Sequence, residues 1–283
     1  MNVTMWQLRR SFTALTLAAG VATLGGCASA AQITTQQEVQ LGAQEAAEIN
    51  QQLPLIQDAT VNYYVNQLGK SIAQRADPRG IPYTFRVVNS DAVNAFSIPG
   101  GYVYVNRGLI ERASNMSELA GVLAHEIGHV VERHGIEQLA SAQNASTKLT
   151  LGQVVAAVLL GGQAAQAVGT VGQVVGTAVL ASYSRKDEQE ADLDAIPYLI
   201  ATGIDPRGLV TMFETLIRME QTNPSAVAQW FSTHPLTQDR INYVQQAIDQ
   251  YPTSQLNQLA VHDQNFVDVK QRLLRMPPAP RAR

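Results

Sequence analysis

The fold turns on the stretch His125-Glu126-Ile127-Gly128-His129. On a helix, residues four apart share one face, so both imidazoles can reach a single ion while Glu126 reaches a water beside it. Working outward, the flanks have the marks of one amphipathic helix. Asn115 with Glu118 three residues on resembles a capping box, apolar residues recur through Val130, and Gly135 is placed to cap the C-terminus. With only five histidines in 283 residues, a chance pairing of this kind on a capped helix is remote. Two imidazoles plus a carboxylate, with one position left for water, form a recurrent catalytic zinc set, so the cofactor expected is one zinc ion per chain.

A third ligand has to come from elsewhere. The pattern with a third histidine ten residues after the first fails, because that position is Gly135 and Glu132 stands where its preceding glycine belongs. His134 is one residue out of register and is assigned to the helix C-terminus, where a cationic side chain complements the dipole. Carboxylates crowd Asp187-Glu188-Gln189-Glu190-Ala191-Asp192. Glu188 and Asp192 share one helical face, and Glu190 shares another with Asp194. One pair faces the metal and the other faces water, and spacing leaves the choice open.

The rest of the chain sets the context. Residues 34–74 read as helix interrupted at Pro54, and Asp77-Pro78-Arg79-Gly80 reads as a turn. Tyr83 to Val88 and Gly101 to Val105 are short β-type runs, separated by a loop with Ile98-Pro99-Gly100-Gly101, which gives a small, hairpin-like sheet. Helices are expected from about Ser184 to Thr202, from Pro206 to about Glu220, and from Thr237 to Tyr251. Between Leu149 and Ser184 no charge occurs. Scattered glutamines and the Gly161-Gly162 pair break this run below the length of a membrane span, so it reads as two packed helices or a mobile cover over something nearby. The fold class is therefore α+β, predominantly α.

Composition narrows the function. A formal net charge of −3 with 15% charged residues and no block of like charges argues against nucleic acid as a partner. The single cysteine rules out an internal disulfide. It stands at Cys27, after a basic Arg9-Arg10 region and an uncharged run from Phe12 to Leu24, and Leu24-Gly25-Gly26-Cys27 resembles a bacterial lipoprotein box. Residues 1–26 are then a lipoprotein signal peptide and 27–35 a tether. Ala28 after the cysteine favours the periplasmic face of the outer membrane of a Gram-negative cell, with the membrane reached through acyl chains on Cys27.

The motifs together resemble the zinc metallopeptidase family that includes HtpX, the prenyl-protein endopeptidase and the periplasmic LoiP- and BepA-like proteases. That family pairs H-E-x-x-H with a later E-x-x-x-D carrying Ala before the Asp, as in Glu188-Gln189-Glu190-Ala191-Asp192. Asn94 to Val105 and Ser232-Thr233-His234-Pro235 with Arg240-Ile241 extend the likeness, which covers roughly Glu38 to Tyr251. The resemblance implies a gluzincin-like metallopeptidase domain over residues 36–252, with 149–183 as its cover and 253–283 as a C-terminal extension. It implies His125, His129 and Glu188 as metal ligands, Asp192 as the acceptor that orients a ligand imidazole, and Glu190 as the solvated partner. It implies that Gly101, Tyr102, Val103, Tyr104 and Val105 form an edge strand that takes substrate backbone as an added strand. Tetratricopeptide repeats are absent, so the chain resembles the protease domain alone, in a lipoprotein branch.

Peptide hydrolysis follows from such parts, with Glu126 as the general base and later the acid. His234 and Arg240 are candidates for stabilising the oxyanion, although in relatives the histidine of this motif can instead sit on the zinc and hold the enzyme latent. Two functions are expected from this reading. One is a zinc endopeptidase acting on misfolded or unassembled envelope proteins. The other is a chaperone-like binding protein for the outer-membrane assembly machinery, in which the zinc site is mainly structural.

Overall fold

The computed structural model describes residues 33–144, 182–277 and 279, so the leader, Cys27 and nearly all of the 149–183 cover lie outside the described residues. The first helix, α1 (Thr35–Gln52), starts at a full capping box between Thr34 and Gln37, and α2 (Ala59–Ala76) starts at Asp58, whose carboxylate accepts from the amides of Thr60 and Val61. Pro54 falls between them, as the sequence suggested.

Three strands follow: β1 (Thr84–Val88), β2 (Ala95–Ile98) and β3 (Tyr102–Asn106). Their spatial order is β1-β3-β2, with β3 parallel to β1 and antiparallel to β2. The β2–β3 turn needs two successive left-handed residues, and Gly100 and Gly101 supply them at φ +82° and +84°. The alternation of β3 settles its packing. Val103 and Val105 enter the main core, whereas Tyr104 joins Ala46 and Ile49 of α1, stacks on Phe96 at 4.8 Å and donates its hydroxyl to Asn50.

This order corrects the expectation for Gly101 to Val105. That run is the central strand, with both of its edges paired, and it has no edge to offer a substrate. The β1 edge is covered in turn, because Ile56 and Asn66 bond to its backbone. The edge strand beside the active-site helix is β2.

A short helix, α3 (Arg107–Arg112), leads into α4 (Met116–Val131), which carries the histidine pair and is buried over almost its whole length. Asn115 caps it by accepting from the Glu118 amide, while the Glu118 carboxylate accepts from Ser114 rather than closing the box on Asn115. The expected stop at Gly135 is not used. Arg133 turns the chain at φ +63°, and α5 (His134–Asn144) begins at once. A left-handed arginine is costly, and it is held by ion pairing to Glu38 and by donation to the Ile33 carbonyl.

The second half is helical: α6 (Arg185–Thr202), α7 (Arg207–Thr222), α8 (Pro224–Thr233), α9 (Gln238–Ile248), α10 (Thr253–Leu256) and α11 (Gln264–Leu274). The last two, in the C-terminal extension, pack onto the domain: Leu256, Phe266, Val269 and Leu273 are buried in the same core as α2 and α4. Among the described residues no helix is long and apolar enough to cross a membrane.

The pair α4 and α6 is set by small residues. A Cβ on Gly128 would stand 3.0 Å from the Ala191 Cα and 3.1 Å from its carbonyl oxygen. Gly128→Leu forces the two helices apart. It is expected to cost about 1–3 kcal/mol in thermal melts and to weaken zinc binding measured by chelator competition, because the ligands sit on both helices.

Candidate metal centre

The spacing of α4 and α6 brings His125, Glu126 and His129 against Glu188, and the loop after α8 adds His234. All five are buried. His125 Nε2 and His129 Nε2 are 3.1 Å apart, His129 Nε2 is 3.4 Å from Glu188 Oε1, His234 Nδ1 is 2.9 Å from the same oxygen, and His125 Nε2 is 3.3 Å from His234 Nδ1. An ion bound tetrahedrally at about 2.1 Å holds its donors about 3.4 Å apart, so these four atoms have the size and chemistry of a zinc set. Glu126 stands beside them with neither carboxylate oxygen hydrogen-bonded among the described residues. His234 Nε2 lies 3.3 Å from one of those oxygens without the alignment of a hydrogen bond. A buried carboxylate left this way has room for a water or a substrate proton.

Electrostatics fit the same use. Burial holds His129 well below the ordinary imidazole range, as a neutral ligand requires. For Glu188 burial acts upward, but the His234 charge, hydrogen bonds from His129 and His234, and the Arg240 charge outweigh it and hold the group well below the usual carboxylate range. For His234 burial acts downward and is outweighed by the Glu188 and Glu126 carboxylates, which raise it in the metal-free chain.

Behind the donors lies a second layer of charge. Asp192 Oδ1 is 2.9 Å from His125 Nδ1, the position that orients this imidazole with Nε2 toward the cluster. The Asp192 carboxylate also accepts from Arg240 Nε at 2.8 Å, from Arg240 Nη2 at 2.7 Å and from the Tyr243 hydroxyl at 2.5 Å. Arg240 Nη1 pairs with Glu188 and with the Pro235 carbonyl, and the guanidinium carbon lies 4.9 Å from the centre of the Phe213 ring. Every nitrogen of Arg240 is thus committed. These contacts make Arg240 the clamp between Glu188 and Asp192.

Removing that clamp leaves two buried carboxylates short of a partner. Arg240→Met is expected to cost about 3–5 kcal/mol, read as a fall in the melting temperature of the metal-free protein. The pH dependence has a definite sign. Burial would raise Asp192, but the Arg240 charge, the hydrogen bond and charge of His125 and the hydrogen bond from Arg240 hold it low. Its contribution is present above an unfolded value near 4 and is lost as pH falls through the lower folded value. Melts of the metal-free wild type should therefore decline on acidification below about pH 4, and Arg240→Met should flatten that decline.

Two neighbours were not legible from the motifs. Tyr183 stacks on His129 with ring centres 3.7 Å apart, and its amide donates to Thr233 next to His234. His134 is only 2% exposed, with Nδ1 2.9 Å from His129 Nδ1 and Nε2 3.3 Å from Glu190 Oε2, and so does not serve merely as a helix-end charge. Glu190 is accordingly a neighbour of the site at one remove as well as a solvated partner of Lys186. Trp230 backs His234 with ring centres 4.8 Å apart.

The chain is similar to known proteins. The family model of peptidase family M48 matches residues 59–248. The chain is 32% identical to the beta-barrel assembly-enhancing protease of Escherichia coli over 219 residues, 76% of this chain and 45% of that protein. It is 30% identical over 183 residues to the mitochondrial metalloendopeptidase OMA1 of Schizosaccharomyces pombe, 65% of this chain and 52% of that one. It is 29% identical over 188 residues to the metalloprotease YcaL of Escherichia coli, 65% of this chain and 71% of that one. The chain thus spans about half the length of the assembly-enhancing proteases it matches. A histidine pair and a glutamate on two helices locked by Gly128 and Ala191, within a profile match that covers most of the chain, place it plainly: the chain belongs to peptidase family M48.

Proposed function

We propose that this protein is a zinc-dependent endopeptidase that hydrolyses misfolded or unassembled proteins of the cell envelope, in the quality control of outer-membrane proteins. The observation that carries the reading is the buried Glu126, with neither carboxylate oxygen hydrogen-bonded among the described residues, beside four donor atoms of zinc-set spacing. The name of the assembly-enhancing relatives supports the substrate class. The leader and Cys27 support a lipid-anchored protein at the periplasmic face of the outer membrane.

His125, His129 and Glu188 would hold a zinc ion, which would supply Lewis acidity toward a scissile carbonyl and acidify a water. Glu126 takes the proton of the attacking water and returns it to the leaving amine. Asp192, held by Arg240 and Tyr243, keeps His125 in the tautomer that offers Nε2. Substrate backbone adds along β2, which packs against α4 and is paired on one side only among the described residues, and main-chain bonding of this kind tolerates many sequences.

His234 stands among the four donor atoms, which supports a reading in which it would take the position a catalytic site keeps open, hold the resting protein latent and leave on activation. His234→Ala is expected to raise basal hydrolysis of an unfolded substrate severalfold while zinc is retained, whereas an oxyanion role predicts a fall. The reading as a whole is tested by metal analysis together with digestion of an unfolded outer-membrane β-barrel protein by wild type and Glu126→Gln.

A further inference from the structure

The two histidines of the metal centre are supported from behind in different ways. His125 meets a carboxylate directly at Asp192. His129 meets another imidazole, His134, which in turn meets Glu190. We propose that His134 and Glu190 form a positioning relay that fixes the tautomer and ring orientation of His129. The proposal rests on the zinc-centre reading above.

Hydrogen-bond bookkeeping carries it. His129 Nε2 faces His125 Nε2 and Glu188 Oε1, so as a metal ligand it offers its lone pair there and keeps its proton on Nδ1. That Nδ1–H is buried and needs an acceptor, and the atom 2.9 Å away is His134 Nδ1. His134 Nδ1 therefore accepts and carries no proton. The His134 proton then lies on Nε2, 3.3 Å from a carboxylate oxygen of Glu190. One proton per contact satisfies every nitrogen in the chain, and no other assignment does so while leaving His129 Nε2 free for a metal.

The surroundings lock this arrangement. Arg133 in its left-handed conformation reverses the chain so that His134 returns over His129, and Glu38 and the Ile33 carbonyl hold Arg133 there. Tyr183 stacks on the His129 ring and limits its rotation. Glu190, with a side chain 38% exposed, is fixed by Lys186 at 2.9 Å. The relay thus runs from a fully buried ligand to the surface, and it gives a role to two residues, His134 and Glu190, that the H-E-x-x-H and E-x-x-x-D patterns leave unused.

The test is the zinc dissociation constant of the purified protein, by competition with a chromophoric chelator at neutral pH, alongside thermal melting of the metal-free form. His134→Phe is expected to weaken zinc about 10–100-fold, the usual effect of losing an outer partner of a ligand histidine, with little change in the metal-free melt. His134→Asn places an amide oxygen near the Nδ1 position and is expected to recover most of that affinity. Glu190→Gln should weaken zinc to a smaller degree. Unchanged affinity in His134→Phe overturns the relay, and so does a His134→Asn variant as weak as His134→Phe, since packing alone would then explain both. Where His134→Phe does not fold, the half-exposed position decides: unchanged affinity in Glu190→Ala overturns the proposal. Wild type that binds no zinc removes the reading on which the relay rests. Wild type that binds zinc and cleaves, with variants of normal affinity, removes the relay alone.

Discussion

Glu126→Gln is expected to retain one zinc ion per chain and to lower hydrolysis of an unfolded β-barrel substrate by about 10²–10⁴-fold, the usual worth of a positioned general base. Zinc should stay because Glu126 is not among the four grouped donors. The fold should stay because neither oxygen of its carboxylate has a hydrogen-bond partner among the described residues, so an amide of the same shape gives up only the charge that faces His234. The loss should fall on kcat, since the carboxylate acts on the proton in flight and not on substrate affinity. A variant that keeps wild-type turnover would remove the peptidase mechanism. If such a variant also kept full biological activity, the binding-protein reading would take its place.

Glu188→Gln is expected to lose zinc outright during gel filtration, while Glu190→Gln keeps a stoichiometric ion at reduced affinity. A neutral amide is a poor zinc ligand, and the substitution also strips Arg240 and His234 of a buried carboxylate. Structural zinc sites are worth about 10–16 kcal/mol at neutral pH, so loss of an anionic ligand removes a large share of what holds the metal. Elemental analysis of the two variants side by side reads the result. Metal lost from Glu190→Gln and kept in Glu188→Gln would turn α6 by half a turn relative to the centre and overturn the assignment of its faces.

These variants probe a choice that the sequence left open. The period of α6 separates Glu188 and Asp192 from Glu190 and Asp194, but a helix does not announce which face its neighbour occupies. Gly128 and Ala191 decide it, because two helices approach closely only where both lack bulk, and that contact turns Glu188 inward. The histidine pair was legible since its chemistry depends on spacing within one helix. The order of the sheet was not, because hydrophobic alternation in Tyr102 to Val105 is the same for a central and an edge strand. The residues at His134 escaped for a related reason. Gly135 and the basic residues before it read as a helix terminus, while the terminus in fact depends on Glu38, 95 positions away from Arg133. The packing of the extension past residue 252 was not legible for the same reason, since the faces of α10 and α11 acquire meaning only against α2 and α4.

The hydrogen bond from Arg133 to the Ile33 carbonyl has a consequence for reach. Six Cα–Cα steps lead from Cys27 to Ile33, a leash of at most roughly 20 Å when fully drawn out. If Cys27 carries the proposed acyl anchor, the leash is moored at Arg133, four residues past His129. The protein then works at a fixed altitude. On that proposed reading, polypeptide would reach Glu126 only close to the lipid, and substrates would be chosen by how long they linger at the membrane surface.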